Sequence, residues 1–543
     1  MSKQKTPRSA CSASPSAPGQ GKRPNFVFIM TDQQRADYLG CTGHPVLKTP
    51  HIDRLAANGT RFDRFYVASP VCMPNRAALM TGRMTSVNGV HQNGQDLPHH
   101  MTTFTELLQA HGYDTALFGK AHLQTMTTLP PSKGENPVGK GRLANAVDIG
   151  DESEYLAETG AQWLEKGAAA VNLPFYGFDV ADIVSFHGDT TGCAHEVWLR
   201  EQLPDLDKVR GAANQLPHDY TCPQAIRTAL PEALYSTAYI RDRAVDYLQD
   251  AARQEAPFFA FVSFPDPHHP FTPPGKYWDQ YQPEDMPVPE SFSAHRNPPP
   301  HLQWVLDQPI VGGAGFHHTP TRLTRRQAQE AMALSCGMIS MIDDAVGDIL
   351  KTLEAQGLAD NTIVIFNSDH GDYLGDHGIL FKGGLHFQSL IRVAMLWHDP
   401  RREQVAKTNV LCSTVDLAPT ILAQAGITPY HGMQGVDFSA LLNGQGDNIE
   451  REQILVEEDT YATDILGFTG QIRARTLVTR RYRLTVYQGV DWGELYDLQK
   501  DPLESRNLWD SRGHAALRKR LLWQLLQMMM GYADSSPWPR QEA

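Results

Sequence analysis

Asn25-Phe26-Val27-Phe28-Ile29-Met30-Thr31-Asp32-Gln33-Gln34 runs without interruption from five apolar residues into four polar ones. The run lacks the alternation of a strand with one wet face, so it predicts a strand buried on both sides, as in parallel sheets. In open α/β sheets ligands bind beyond the carboxyl ends of the strands, which is where Asp32 and Gln33 fall. Three later segments repeat the pattern. Asp114 to Gly119 delivers Lys120-Ala121-His122, Pro257 to Phe264 leads into Asp266-Pro267-His268-His269-Pro270, and Asn361 to Asn367 ends in Ser368-Asp369-His370-Gly371-Asp372. Helical patterns lie between them at 49–59, Thr103 to Ala110, Pro231 to Gln254 and Thr324 to Glu354, and Ile391 to Trp397 and Val415 to Ala425 complete the set. Strands alternating with helices predict an α/β domain over residues 24–445, with a large, mostly parallel sheet sandwiched by helices.

Outward from this frame the pattern changes. Residues 1–23 are rich in Ser, Pro, Lys and Gly and are expected to be disordered. The stretches 124–225 and 272–320, rich in Gly, Pro and His, are expected to be excursions over the site. Gln453 to Val456, Arg473 to Thr479, Tyr482 to Tyr487 and Glu494 to Leu498 predict short antiparallel strands, followed by a helix from Ala515 to Met530. They define a smaller C-terminal α+β subdomain, residues 446–543. The Leu- and Met-rich tail helix suits core packing or a contact between copies, and from it a homo-oligomer is expected.

The 543 residues carry 48 Lys plus Arg against 61 Asp plus Glu, a net charge of −13, which disfavours nucleic acid and anionic lipid as partners. An anionic substrate would therefore need positive charge concentrated in one pocket. No apolar run has the length of a membrane span or of a signal-peptide core. The seven cysteines are scattered and unpatterned, which suits a reducing compartment, so a cytoplasmic location is expected.

Ser69-Pro70-Val71-Cys72-Met73-Pro74-Asn75-Arg76 continues through Leu79, Thr81, Gly82 and Arg83. Cys72 has no second cysteine or histidine at ligand spacing and no CxxC partner, which excludes a metal knuckle or a redox pair. Ala77 to Met80 predicts the first turns of a helix, whose amino end would favour an anion. The segment resembles the signature of the type I sulfatases, in which the cysteine of Cys-x-Pro-x-Arg is oxidised to formylglycine. The resemblance covers roughly residues 24–125, 257–271, 335–440 and 490–510, the last through Glu494 to Pro502 and Asn507-Leu508. It implies an alkaline-phosphatase-like fold and a partner enzyme that generates formylglycine during maturation.

By the same resemblance, Asp32, Gln33, Asp369 and His370 hold a divalent metal beside Cys72. The commonest sulfatase set has three aspartates and an asparagine. Two carboxylates weaken Ca²⁺ binding, and a histidine nitrogen moves the preference toward Mn²⁺, so Ca²⁺ or Mn²⁺ is expected. Lys120 and His122 match the family's Gly-Lys-x-His beside the nucleophile, and Lys382 resembles its second substrate lysine. His268, in Pro-His-x-Pro, takes the general-acid position. Arg76 holds the formylglycine. His187, His195, His218, His317 and His318, in the excursions, are assigned to loop surfaces in preference to a pocket lining. The implied function is hydrolysis of an organic sulfate ester, an aryl sulfate first. The alternatives are a phosphonate monoester or phosphodiester hydrolase, which shares the Asp-Gln and Asp-His pairs, and a sulfate-binding relative in which Cys72 stays a thiol. Retention of Lys120 and His122 favours sulfate.

Overall fold

In the computed structural model, residues 22–129, 150–250, 256–313, 319–403, 405–444 and 451–541 are described. Nearly all of the expected disordered segment, residues 317 and 318 and the proposed boundary between the two domains lie outside them.

Five parallel strands stand side by side in the order Val180–Ile183, Asp114–Gly119, Phe258–Ser263, Asn25–Thr31 and Thr362–Ser368. The sheet continues through the antiparallel Met395–His398 to Thr60–Phe62 and Lys407–Thr408. The three central strands are buried at every position. Phe26 to Met30 are wholly excluded from solvent, each side chain contributing about 1.5–3 kcal/mol of hydrophobic stabilisation. Their rings interlock, with Phe28 edge-on to Phe261 at 5.3 Å and Phe104 edge-on to Phe259 at 5.3 Å.

Two groups of helices sandwich the sheet. Arg325–Ala355 packs on Ser236–Gln249 and Pro50–Ala57, and Leu417–Gln424 packs on Phe104–Ala110 and Cys72–Thr81. The long helix is opened by a capping box between Thr324 and Gln327. The segment expected as one helix from Pro231 is shorter, Ser236–Gln249, with a 3-10 turn at Glu232–Leu234 before it. The segment 391–397 is a short helical turn followed by two strand pieces rather than one element.

The helix carrying Cys72 starts earlier than the sequence suggests, at Cys72 itself, with Val71 as its N-cap. Pro74 is tolerated because the first-turn N–H groups have no partner inside the helix. Gly82 ends it in the left-handed region, at φ 61°.

The C-terminal sheet is a four-stranded antiparallel meander. Its first two strands, Gln453–Ile465 and Phe468–Thr479, are much longer than the fragments read from sequence. They pair through a two-residue turn in which Leu466 and Gly467 have φ 60° and 74°, the twist that suits a tight hairpin. Leu455, Leu477, Leu484 and Leu495 pack with Leu521 and Leu525 of the tail helix and with Ala78 of the Cys72 helix. The small sheet therefore bears directly on the element that carries the nucleophile candidate. The tail helix leaves Trp523, Leu526, Met529 and Met530 exposed.

Candidate active site

Each strand of the parallel set hands a polar residue to one place at its carboxyl end. Asp32 follows Asn25–Thr31, Lys120 follows Asp114–Gly119, and Asp369 and His370 follow Thr362–Ser368. His268 lies five residues past Phe258–Ser263, and His187 four residues past Val180–Ile183. Gly119 has φ 105°, and a Cβ there would lie 2.0 Å from the Ser263 carbonyl oxygen. Only glycine lets the strand turn into Lys120 at that distance.

Cys72 sits at the amino end of its helix and is 1% exposed. Its Sγ lies 3.0 Å from Lys382 Nζ, 3.0 Å from His370 Nε2 and 3.6 Å from Asp32 Oδ1. Lys382 Nζ also reaches His268 Nε2 at 3.0 Å. On the other side Lys120 Nζ donates to Asp32 Oδ2 and lies 2.7 Å from His187 Nε2. Arg76, fully buried, ties the group together. Its Nε donates to Asp369 Oδ2 at 2.8 Å, and its Nη1 donates to the Lys120 carbonyl at 2.7 Å and to Ser263 Oγ at 2.9 Å. His370 bonds through Nδ1 to the Gly371 carbonyl at 2.9 Å, which places the proton there and leaves the Nε2 lone pair facing Cys72.

Arg76, Lys120 and Lys382 thus bring three cations to two carboxylates, Asp32 and Asp369, in an acidic protein. Burial raises the Asp32 carboxyl, but its positive surroundings, led by the Lys120 ammonium, hold the group well below the usual range. Burial and Asp32 push the Cys72 thiol up, while the Lys120 and Lys382 ammonium groups bring it below its ordinary value. Such a thiol is predisposed to the thiolate form. Burial and the Lys382 ammonium depress His268 strongly, and burial with Lys120 and Arg76 does the same to His122.

A protein-family model described as Sulfatase matches residues 24–427. The chain belongs to the sulfatase family. A second model, described as the C-terminal part of N-sulphoglucosamine sulphohydrolase, matches residues 375–530. The uncharacterized sulfatase YidJ of Escherichia coli (strain K12) is 29% identical over 94% of this chain and 87% of its own length. An arylsulfatase of Clostridium perfringens is 26% identical, covering 95% of this chain and 97% of its own. Among solved structures, the phosphonate monoester hydrolase of Agrobacterium radiobacter superposes with a TM-score of 0.74 at 26% identity, over 94% of this chain and 96% of that one. This sulfatase is a sulfuric ester hydrolase with an alkaline-phosphatase-like fold.

The sulfatase site gathers Cys72, Arg76, Lys120, His268, Lys382, Asp32, Asp369 and His370 within direct contact of one another. Two residues named from the sequence stand differently. Gln33 sends its side-chain amide nitrogen to Asp372 and, at 3.0 Å, to His269 Nδ1, and its backbone N–H to Asp369 Oδ1 at 3.0 Å. His122 lies beyond Lys120, with its backbone N–H on the Glu158 carboxylate at 2.6 Å and a buried Nδ1 lacking a hydrogen-bond partner. Its ring makes no hydrogen bond to Cys72 or Lys120 among the described residues.

The surface assignment of the excursion histidines fails at two positions. His195 is wholly buried, between Thr191 Oγ1 and the Leu234 carbonyl, and His187 stands inside the site. The strand that delivers His187, Val180–Ile183, is short, contains Asp182 and is half exposed at the sheet edge. The usable signal was its Val-Ala-Asp-Ile-Val sequence followed by histidine. His218 is half-buried, which fits the loop assignment.

A divalent cation fits the donors present. Asp32, Cys72, Asp369 and His370 are all buried and offer ligand atoms within 4.8 Å of one another. The Gln33 side-chain oxygen next to Asp32 is buried without a hydrogen-bond partner, a deficit that a ligand would relieve. Sulfatases generally use such an ion together with formylglycine.

Proposed function

We propose that this sulfatase hydrolyses aryl sulfate esters, with Cys72 as the precursor of the nucleophile. The observation that carries the reading is the meeting of Cys72 Sγ, Lys382 Nζ and His370 Nε2 at 3.0 Å spacings, with Lys120 held on Asp32 beside them. When bound, the metal supplies Lewis-acid polarisation and the oxidised Cys72 a nucleophilic oxygen. Asp32, Asp369 and His370 would hold the ion, with Gln33 as a further oxygen donor.

The remaining chemistry belongs to the chain. Lys120 and Lys382 flank the nucleophile as compact charges suited to the non-bridging oxygens of a sulfate monoanion. Arg76 fixes Asp369 and the backbone of Lys120, and its Nη2, which has no hydrogen-bond partner, remains to hold the oxidised Cys72. His268 faces the site through Nε2 and is the proton donor to the departing oxygen. Its basicity is depressed before substrate arrives, and an anion placed against Lys382 offsets part of that charge and raises it toward the working range. His122, buried behind Lys120 with no hydrogen bond to Cys72 among the described residues, is given no step.

The Agrobacterium radiobacter neighbour keeps phosphonate monoesters in view as a second activity on the same scaffold. The test begins with Cys72. In protein produced alongside a formylglycine-generating enzyme, its tryptic peptide is expected to be about 18 Da lighter and reactive to hydrazide. Turnover of 4-nitrophenyl sulfate should then exceed that of a 4-nitrophenyl phosphonate monoester. An unmodified thiol in protein made that way would remove the mechanism and favour a sulfate-binding relative. The reverse substrate preference would transfer the assignment to phosphorus esters.

A further inference from the structure

His187 touches Lys120, Asp32 and His268, and the proposed chemistry leaves it without a part. Its ring lies flat on His268, with centroids 3.6 Å apart and planes 9° apart. Its Nε2 is 2.7 Å from Lys120 Nζ and 3.4 Å from Asp32 Oδ2. An ammonium only donates, so Nε2 accepts and the ring proton resides on Nδ1. The side chain is 17% exposed, so it forms part of the wall between the buried cations and the outside.

The backbone that presents it is strained in the manner of the site's other suppliers. Phe186 is held at φ 61°, just as Gln33 after Asp32 has φ 65° and Phe381 before Lys382 has φ 76°. Non-glycine residues rarely adopt this region, and they persist there where the surroundings over-determine them, most often at functional sites. The strand-end placement is also shared, since His187 follows the fifth member of the parallel set.

A second cation site is the rival explanation, because Asp32, His187 and His268 bring ligand atoms within 4.8 Å. Each inward imidazole nitrogen is already against an ammonium, His187 on Lys120 and His268 on Lys382. Two fixed positive charges at the coordinating atoms oppose a metal ion there.

We propose that His187 is a positioning residue of this site, aligning the His268 ring with the leaving-group oxygen through face-to-face contact and steering Lys120 through Nε2. The proposal rests on the ester-hydrolase reading above, with His268 as proton donor. The two contacts separate chemically. A phenyl ring at this position keeps the stacking surface and loses the acceptor, whereas an alanine loses both.

The experiment compares wild type, His187→Ala and His187→Phe, each with Cys72 confirmed as formylglycine and with unchanged thermal unfolding, on 4-nitrophenyl sulfate and unsubstituted phenyl sulfate. The poorer leaving group depends on a well-placed proton donor, a contribution of about 10²–10⁴-fold, and the activated one depends on it far less. His187→Ala is expected to lower kcat on phenyl sulfate about a hundredfold, and on 4-nitrophenyl sulfate only several-fold. His187→Phe should recover most of the phenyl sulfate kcat while keeping a raised KM on both esters, because Lys120 has lost its acceptor. Equal losses on the two esters, or no loss on either, would overturn the proposal while the activity reading stands. A wild type inactive on both esters would overturn the activity reading and the proposal with it.

Discussion

Replacing Arg76 by Met tests whether the site is held together by one guanidinium. The side chain is fully buried and spends its donors on Asp369, the Lys120 carbonyl and Ser263, with Asp32 3.9 Å from Nη2. Methionine fills a similar volume but leaves Asp369 Oδ2, a backbone carbonyl and a hydroxyl without this donor. Removing one member of a buried pair costs about 3–5 kcal/mol, because the remaining charge stays uncompensated. An unfolding entropy of roughly 2.1 cal/mol/K per residue, over a chain of this length, gives about 1.1 kcal/mol per degree. The expected fall in Tm is therefore about 3–4 °C, measured by scanning calorimetry with chelator present so that no cation substitutes for the lost charge. Arg76→Lys keeps the charge and cannot reproduce the fork, so an intermediate fall is expected. A Tm for Arg76→Met within about 1 °C of wild type would refute the reasoning, showing that the two carboxylates are neutralised by Lys120 and Lys382 alone.

Gly384→Ala should be disproportionately damaging to activity. The residue has φ 72°, and the added Cβ would lie 2.2 Å from Leu466 Cδ1, a clash and backbone strain together worth about 1–3 kcal/mol. Because Lys382 is two residues upstream, kcat should fall while bound metal, counted by elemental analysis, is unchanged; full activity would contradict this. His195 gives a pH signature. Burial lowers its pKa from 6.5 to about 4, so the folded state prefers the neutral ring. The stability this confers is complete above pH 6.5 and is lost as pH falls through 4, about 3 kcal/mol in all. Urea midpoints between pH 7 and pH 4 should drop less for His195→Gln than for wild type, and parallel curves would dismiss the assignment.

Much of the fold was legible because parallel strands buried on both faces leave unbroken apolar runs. Phe26–Met30 and Phe258–Val262 announce themselves, and their positions fix where Asp32 and His268 must lie. The long hairpin was not legible, for a physical reason. Glu457 and Glu458 interrupt its apolar pattern, yet they are buried because their partners come from far away in sequence, Ser86 and Thr85 for Glu457 and His386 for Glu458. A local pattern cannot show that a carboxylate will be satisfied by a residue 72 or 372 positions distant. The same limit hid His187, whose strand is too short and too polar to signal a sheet. Gln33 shows the converse error of resolution. Its place in the chain was clear, but the direction of its amide depends on Asp372 and His269, neither of which the strand-end pattern specifies.

The hairpin also sets an order in time. Glu458 receives the Gly384 N–H at 2.9 Å and His386 Nε2 at 2.9 Å, and Leu466 at the tip caps the same loop. The segment that aims Lys382 is thus fastened by residues synthesised after it. A ribosome that stops short of the hairpin releases a chain that already contains Cys72, both aspartates, both lysines and all three site histidines. That chain would lack the latch that sets their spacing. Completion of the polypeptide, and not possession of the reactive groups alone, is what sets their spacing.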